Sequence, residues 1–255
     1  MSVLHTPVLA AEVIESLRIR PEGTYVDATT GTAGHALEIA QRLTTGRLLA
    51  IDRDPQALEI ARERLKLHEQ KVVLVHADFS RIGELRGELK MPLFDGVLAD
   101  LGVSALELDS PERGFSFRWA APLDMRMNPD SPLTAEEIVN HWPENDLADL
   151  LYREAEEHDS RRIARAIVKA RPIRDTAHLA TVVAGVRKQW GRQRLHPATK
   201  TFLALRIAVN REVEELGQFL FRTPATIVAR CSVSRIGRAR TIALAILRES
   251  LSSAF

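Results

Sequence analysis

Short apolar runs alternate with segments of helical period along the first hundred residues. Thr24 to Ala28 predicts a buried strand, Gly31 to Gly34 a small-residue turn, and His35 to Leu43 a helix with Leu37, Ile39, Ala40 and Leu43 on its apolar face. Gly46 interrupts the pattern before a second strand, Leu48 to Ile51, which Asp52 ends. Pro55 stands near the start of the next helix, where Ala57, Leu58, Ala61 and Leu65 recur at helical spacing. Val72 to Val75 and Gly96 to Ala99 read as a third and a fourth strand. Short strands spaced by helices imply an α/β fold built on a parallel sheet with right-handed crossovers.

Beyond this point the period changes. Ser104 to Pro132 mixes proline, charge and aromatic residues without a clear repeat and predicts an ordered loop or short helical pieces. Thr134 to Trp190 is helical in several segments. Thr134 with Glu137 three residues on gives an N-terminal capping signal, and Ile163, Ile167 and Val168 mark another apolar face. Phe202 to Phe221 predicts one long amphipathic helix, with Phe202, Leu205, Val209, Val213, Leu216 and Leu220 at near-heptad spacing. The order suits a helical insertion within an α/β domain, with boundaries at 1–104, 105–200 and 201–255.

Composition narrows the class. Hydrophobic residues make up 45% and charged residues 27% of the 255, as in ordinary globular proteins. No stretch approaches the roughly 20 apolar residues of a membrane span, and the amino-terminal residues carry no basic segment leading into an apolar run. The single cysteine, Cys231, excludes an internal disulfide framework and any cysteine-based zinc site, and fits a reducing, cytoplasmic setting. The net charge of +1 conceals a local excess: Arg153 to Arg211 holds fourteen Lys or Arg against five Asp or Glu. Such an excess suits phosphate contacts and equally suits solvated helix faces.

The strand ends carry the candidate chemistry. In Val26-Asp27-Ala28-Thr29-Thr30-Gly31-Thr32-Ala33-Gly34-His35 a strand meets a helix through small residues that let a ligand approach the backbone. Asp52, about twenty residues later at the next strand end, is placed to accept ribose hydroxyls. Asp78 and Phe79 follow the third strand and offer an acceptor and a ring for adenine; a core aromatic is the competing reading of Phe79. Asp100 follows the fourth. These features point to a nucleoside-containing ligand in the crevice at the strand carboxyl ends, and leave a dinucleotide-dependent oxidoreductase open.

Longer strings separate these readings. Leu108-Asp109-Ser110-Pro111-Glu112-Arg113-Gly114-Phe115-Ser116-Phe117-Arg118, Pro122 to Met127, His196-Pro197-Ala198-Thr199-Lys200-Thr201-Phe202 and Ala204 to Asn210, together with His5 to Leu9 and the Asp27 to His35 turn, closely resemble the RsmH (MraW) family of small-subunit ribosomal-RNA cytosine methyltransferases. The resemblance covers about residues 5 to 222. It implies a Rossmann-like S-adenosylmethionine-dependent methyltransferase sheet with an inserted helical substrate-recognition domain, and methylation of the N4 amine of a cytidine in the decoding region of 16S ribosomal RNA. The implied cofactor contacts are Ala33, Gly34, His35, Asp52, Phe79, Asp100 and Glu107, with Asp100 also the catalytic acceptor. Ala33 replaces a usual glycine, and Glu107 lies in Ser104-Ala105-Leu106-Glu107 where the family has a Ser-Ser-Pro-Gln type segment. No metal is implied.

The implied partner is small-subunit ribosomal RNA or the assembled subunit. Arg118, Arg161, Arg162, Arg165, Arg187, Lys188, Arg192 and Arg194 are the candidate RNA contacts, with Arg171 beside them. Phe115, Phe117 and Trp119 would stack on RNA or fill the core of the insertion. His196 and Asn210 belong to the family strings, but spacing assigns them no role. Thr223 to Phe255 lacks the family's Ser-Phe-His-Ser-Leu-Glu-Asp-Arg segment. It offers only Thr226 to Ala229 and Thr241 to Leu247 as apolar pieces, which predicts an incomplete set of carboxyl-terminal strands, an unpaired sheet edge and an impaired, RNA-binding remnant as the alternative to an active enzyme.

Overall fold

The computed structural model describes residues 10–187, 196–222, 230–233 and 242–247. Two compact units are present: residues 1–102 with 214–255, and residues 103–213. The helical unit extends to Val213, with Phe202, Ala204, Leu205 and Val209 buried in its core.

In the first unit α1 (Ala10–Leu17) precedes β1 (Thr24–Asp27), α2 (Gly34–Arg42), β2 (Arg47–Asp52), α3 (Pro55–Leu65), β3 (Val72–His76), α4 (Ile82–Glu88) and β4 (Gly96–Asp100). Strands β1 to β4 are parallel, in the order β3-β2-β1-β4. Alternate residues of each strand enter different cores. Val26, Leu49, Ile51, Val97 and Ala99 face one side, with Phe79, Ile82, Phe94 and Phe219. Tyr25, Leu48, Ala50 and Leu98 face the other, with Val13, Leu17, Ile39, Ala61 and Leu65. A sheet covered on both faces needs continuous apolar runs, which is why these strands read as runs and not as alternations.

The tail corrects the expectation of an unpaired edge. Residues Arg230–Val233 form β5 and Ile242–Leu247 form β6. Strand β6 lies antiparallel to β4, from Gly96 opposite Leu247 to Asp100 opposite Ala243, and β5 pairs antiparallel with β6. The complete order is β3-β2-β1-β4-β6-β5. The apolar run at 242–247 thus supplies the ladder partner that β4 lacks in its parallel neighbours. Thr226 to Ala229, the other apolar piece, lies outside the described residues, as does His5 to Leu9.

The second unit contains α5 (Ala105–Asp109), a 3₁₀ turn at Pro111–Arg113, α6 (Ala135–His141), α7 (Glu144–Ala155), α8 (Ser160–Ala170), α9 (Thr176–Arg187) and α10 (Thr199–Val209). Thr134 caps α6 as the sequence predicts, its hydroxyl accepting the Glu137 N–H at 3.2 Å. Residues 202–221 do not form one helix. They divide into α10 and α11 (Glu212–Arg222), with Asn210 at the end of α10 and Arg211 at φ +50°. The Asn210 side chain joins the end of α10 to a distant segment: Oδ1 accepts the Met127 N–H at 2.7 Å, and Nδ2 donates to the carbonyls of Met125 at 2.8 Å and Arg206 at 2.9 Å. Arg206 closes the corner through paired bonds to Glu212 at 2.7 and 2.8 Å.

Asn210 therefore fastens the 110–133 segment to α10. Arg113 binds the same stretch, donating to the carbonyls of Arg126 and Met127 at 3.0 Å. Gly114 lies beside it at φ +72°, where an added Cβ would sit 2.1 Å from the Pro122 carbonyl oxygen, so only glycine fits. Replacing Asn210 by Ala leaves a buried N–H and a buried carbonyl unpaired. Asn210→Ala should destabilise the chain by on the order of 3 kcal/mol in chemical denaturation; an unchanged midpoint would show that the fastening is dispensable.

Candidate active site

The turn after β1 is organised from both flanking strands. Ala28 N–H donates to the Leu98 carbonyl of β4 at 2.8 Å, and Thr30 N–H to the Ile51 carbonyl of β2 at 2.9 Å. Thr29 Oγ1 accepts the Asp100 N–H at 2.7 Å. The chain then reverses through Gly31 at φ +51° and Ala33 at φ +65°, and α2 begins at Gly34. Open space surrounds the Cβ direction of Gly31. Ala33 is wholly buried, and its methyl belongs to the core shared with Ala36 and Ile39. The left-handed backbone is the reason a glycine is usual there, and packing of the methyl against this core offsets part of the strain.

Asp52 holds the turn to β2. Its Oδ2 accepts the Gly31 N–H at 2.6 Å and its Oδ1 the Asp54 N–H at 2.8 Å. Burial raises the Asp52 carboxyl above the ordinary range, and these two N–H groups counter the shift. Each oxygen retains acceptor capacity for a ligand hydroxyl. Asp54 caps α3 by accepting the Gln56 N–H at 2.9 Å, and Pro55 occupies the first helical position.

Asp27 is the residue that sequence reasoning missed as a site. It is wholly enclosed, with Oδ1 accepting the Thr29 N–H at 3.2 Å and Oδ2 lacking a well-formed hydrogen bond among the described residues. Loss of hydration on burial pushes its carboxyl up to about 7; the Thr29 N–H lowers it, the charges of Asp52 and Asp100 raise it, and the Ala36 N–H lowers it. The carboxylates at the ends of β1, β2 and β4 thus share one electrostatic environment around the turn. The signal available in the sequence was an acid at the last position of an otherwise apolar strand.

The third strand end is arranged differently. Asp78 pairs with Arg53 at 3.3 Å, and the Arg53 guanidinium lies over the Phe79 ring, 5.3 Å from its centroid. Phe79 is 5% exposed and meets Phe219 edge-on at 5.4 Å. Its ring packs in the core on one face of the sheet. His35 is buried in the first turn of α2.

In the helical unit, Glu107 completes a capping box on α5: its Oε2 accepts the Ser104 N–H at 2.7 Å, and Ser104 Oγ accepts the Glu107 N–H at 3.2 Å. Glutamine at this position supports the same cap, so Glu107 preserves the local structure of the usual segment. Phe115 is buried in the helical core, the competing reading of that residue. Arg171 donates to the carbonyls of Val139 at 2.8 Å and Trp142 at 2.6 Å and so brackets the end of α6. Arg118, Arg161, Arg162 and Arg165 are exposed. Arg162 pairs with Asp159 and Arg165 with Glu144, while Arg161 has no ion pair among the described residues. Arg187 ends α9, and Lys188, Arg192 and Arg194 lie outside the described residues. Among the described residues no group of three or more His, Cys, Asp or Glu is arranged to hold a metal ion, and no helix is long and apolar enough to cross a membrane.

The description of the MraW methylase family matches residues 2–236. The chain belongs to this family. It is 50% identical over 236 residues to ribosomal RNA small subunit methyltransferase H of Koribacter versatilis, covering 89% of this chain and 74% of that protein. The enzymes of the same name from Solibacter usitatus and a Cyanothece species are 49% and 48% identical, each over 88% of this chain and over 78% and 74% of theirs. Membership in the MraW methylase family gives no support to a dinucleotide-dependent oxidoreductase.

The Asp27 environment has a measurable consequence. Its carboxyl is raised from 3.8 to about 7 in the folded chain, so the folded state holds a proton that the unfolded state releases. The stability associated with that proton is full below about pH 4 and is lost as pH rises through 7. Asp27→Asn keeps the acceptor for Thr29 and removes the titration. Relative to the variant, the parent should lose about 2 to 3 kcal/mol of stability between pH 5 and 8. Parallel stability profiles for the two proteins would show that Asp27 is ionised throughout.

Proposed function

We propose that this chain transfers a methyl group from S-adenosylmethionine to the N4 amine of a cytidine in the decoding region of 16S ribosomal RNA, in the cytoplasm. The observation that carries this reading is the set of carboxylates, Asp27, Asp52 and Asp100, gathered around a small-residue turn in a member of the MraW methylase family. An enclosed Asp27 oxygen with neighbouring acids fits a cationic ligand, and S-adenosylmethionine carries positive charge on its sulfonium and ammonium groups. When bound, the cofactor supplies a methyl group on a sulfur that is already a good leaving group.

The residues of the chain then have distinct tasks. Asp52 accepts ribose hydroxyls while keeping the turn in place through Gly31. Gly34 and His35 open α2, whose first N–H groups suit a carboxylate. Asp100, at the end of β4, accepts a hydrogen bond from the cytosine amine, which localises the nitrogen lone pair that the ring otherwise delocalises, and the amine gives up its surplus proton only after it has gained the methyl group. In-line displacement gains chiefly from holding nitrogen and methyl carbon near attack distance, so positioning dominates over acid–base strength. Glu107 supports the reading through the cap it shares with glutamine. A nucleobase within a folded RNA reaches such a crevice by extrusion from its stack.

Incubating small-subunit particles and free small-subunit RNA with the protein and isotopically labelled cofactor, followed by nucleoside mass spectrometry, should yield labelled N4-methylcytidine. Cofactor binding without labelled nucleoside would assign the chain to the non-catalytic alternative. In the same system Asp52→Ala should weaken cofactor affinity by more than about 1.5 kcal/mol in calorimetry, since a charge-assisted bond to ribose is lost along with the Gly31 contact. Equal affinities would remove Asp52 from the site.

RNA binding should depend strongly on salt. The ion pairs of Arg162 and Arg165 are exposed and worth little, so RNA phosphates compete for these guanidinium groups. Neutralising Arg161, Arg162 and Arg165 together should flatten the slope of log affinity against log salt by up to about three units. An unaltered slope would make the outer face of α8 an ordinary solvated surface.

A further inference from the structure

The turn between β1 and α2 is held by charged side chains at two neighbouring residues. Asp52, ahead of α3, accepts the Gly31 N–H at 2.6 Å. Arg64, in the last turn of α3, reaches back to the next residue: its Nη1 donates to the Thr32 carbonyl at 2.5 Å and lies 3.4 Å from Thr32 Oγ1. Arg64 is half-buried, and among the described residues no carboxylate pairs with it, so its charge is directed at a neutral carbonyl. That carbonyl belongs to the peptide joining Thr32 to Ala33, whose other edge is fixed as well, because the Ala33 N–H donates to the Thr30 carbonyl at 2.8 Å. The plane of this peptide sets φ of Ala33, which stands in the left-handed region at φ +65° and ψ +34°. An L-residue enters that region only against a close approach of its Cβ to the backbone, and Ala33 offers α2 no side-chain cap. The neighbouring Leu65 and Ala61 share the core of Ala33 and Ala36, so the helix that carries Arg64 is anchored where the turn is anchored.

We propose that Arg64 is a positioning residue of the cofactor site: it holds the Thr32–Ala33 peptide in the orientation that presents the start of α2 to a ligand, and touches no ligand itself. The proposal rests on the S-adenosylmethionine reading for the identity of that ligand. Glycine adopts the left-handed region freely and keeps such a turn in shape with less help. Alanine makes the turn depend on an outside hold. A site whose turn leaves the competent conformation binds with an affinity reduced by the fraction that remains competent. Arg64 therefore acts on affinity through that fraction, and the size of its effect depends on the residue at position 33. A direct charge contact with the ligand lacks this dependence.

Calorimetry with S-adenosylmethionine on the parent, Arg64→Met, Ala33→Gly and the double variant tests the proposal. Methionine keeps an unbranched apolar stem and removes the donors. Arg64→Met should weaken binding on the order of tenfold in the parent, and by no more than about threefold beside Ala33→Gly. Arg64→Lys returns a charged donor and should bind within about threefold of the parent. Parent-like affinity in Arg64→Met, an equal loss in both backgrounds, or a lysine variant as weak as the methionine one overturns the proposal. Thermal melting shows which variants are folded, and Arg64→Gln takes the place of Arg64→Met if the latter is not. Amide hydrogen exchange without cofactor reads the turn directly: the Ala33 N–H and the Leu37 N–H, bonded to the carbonyls of Thr30 and Ala33, should exchange on the order of tenfold faster in Arg64→Met. A parent that binds no S-adenosylmethionine, with exchange accelerated in Arg64→Met, loses the cofactor reading and keeps the hold of Arg64 on the turn. A parent that binds it, with affinity and exchange indifferent to Arg64, keeps the cofactor reading and loses the positioning role.

Discussion

A parallel sheet buried on both faces leaves only its strand ends available to polar chemistry. Side chains of β1, β2 and β4 that point sideways enter one apolar core or the other, as the alternating partners of Val26, Leu49 and Val97 and of Tyr25, Leu48 and Leu98 show. The interior positions of these strands carry no charge, which leaves the last residue of each for an acid. Asp27, Asp52 and Asp100 occupy those positions, and parallel pairing brings all three to the same end of the sheet. The polar turn between β1 and α2 is then held by backbone bonds to both neighbouring strands, so the geometry of the crevice follows from the register of the sheet. The raised pKa values of Asp27 and Asp52 are the electrostatic counterpart of this arrangement, because acids close to two apolar cores lose most of their hydration.

Much of this was legible in the sequence because local and global preferences coincide. The strand runs, the small-residue turn, Pro55 and the Thr134 cap are local signals, and each element formed within a residue or two of its expected place. The acids at the ends of β2 and β4 were legible for the same reason. What escaped was fixed by distant contacts. The long heptad-like pattern of 202–221 gave no sign of its interruption at Asn210 and Arg211, since the apolar positions continue across the corner while serving different cores. Asn210 is an ordinary polar residue in the string and a three-bond fastening in the fold. The edge-on packing of Phe79 and the backbone carbonyl partners of Arg171 are likewise distant contacts that no local pattern announces.

The substitutions at Ala33 and Glu107 illustrate how a family pattern absorbs change. At Ala33 the demanding feature is the sign of φ, and a methyl group is accommodated by the core beneath it. At Glu107 the demanding feature is a side-chain acceptor that reaches the Ser104 N–H, and a carboxylate meets that need as an amide does. In both places the residue present meets the local structural task.

The pairing of β4 with β6 also has a temporal side. A polypeptide emerges from the ribosome in order, and the whole helical unit lies between these two strands in the chain. Until β6 has been synthesised, one flank of β4 is open, and closing it requires ordering a loop as long as that unit. Folding of the intervening helices beforehand shortens the effective span of that loop and lowers its entropic cost. Completion of the sheet at β4 therefore waits on a strand that follows the whole helical unit in the chain.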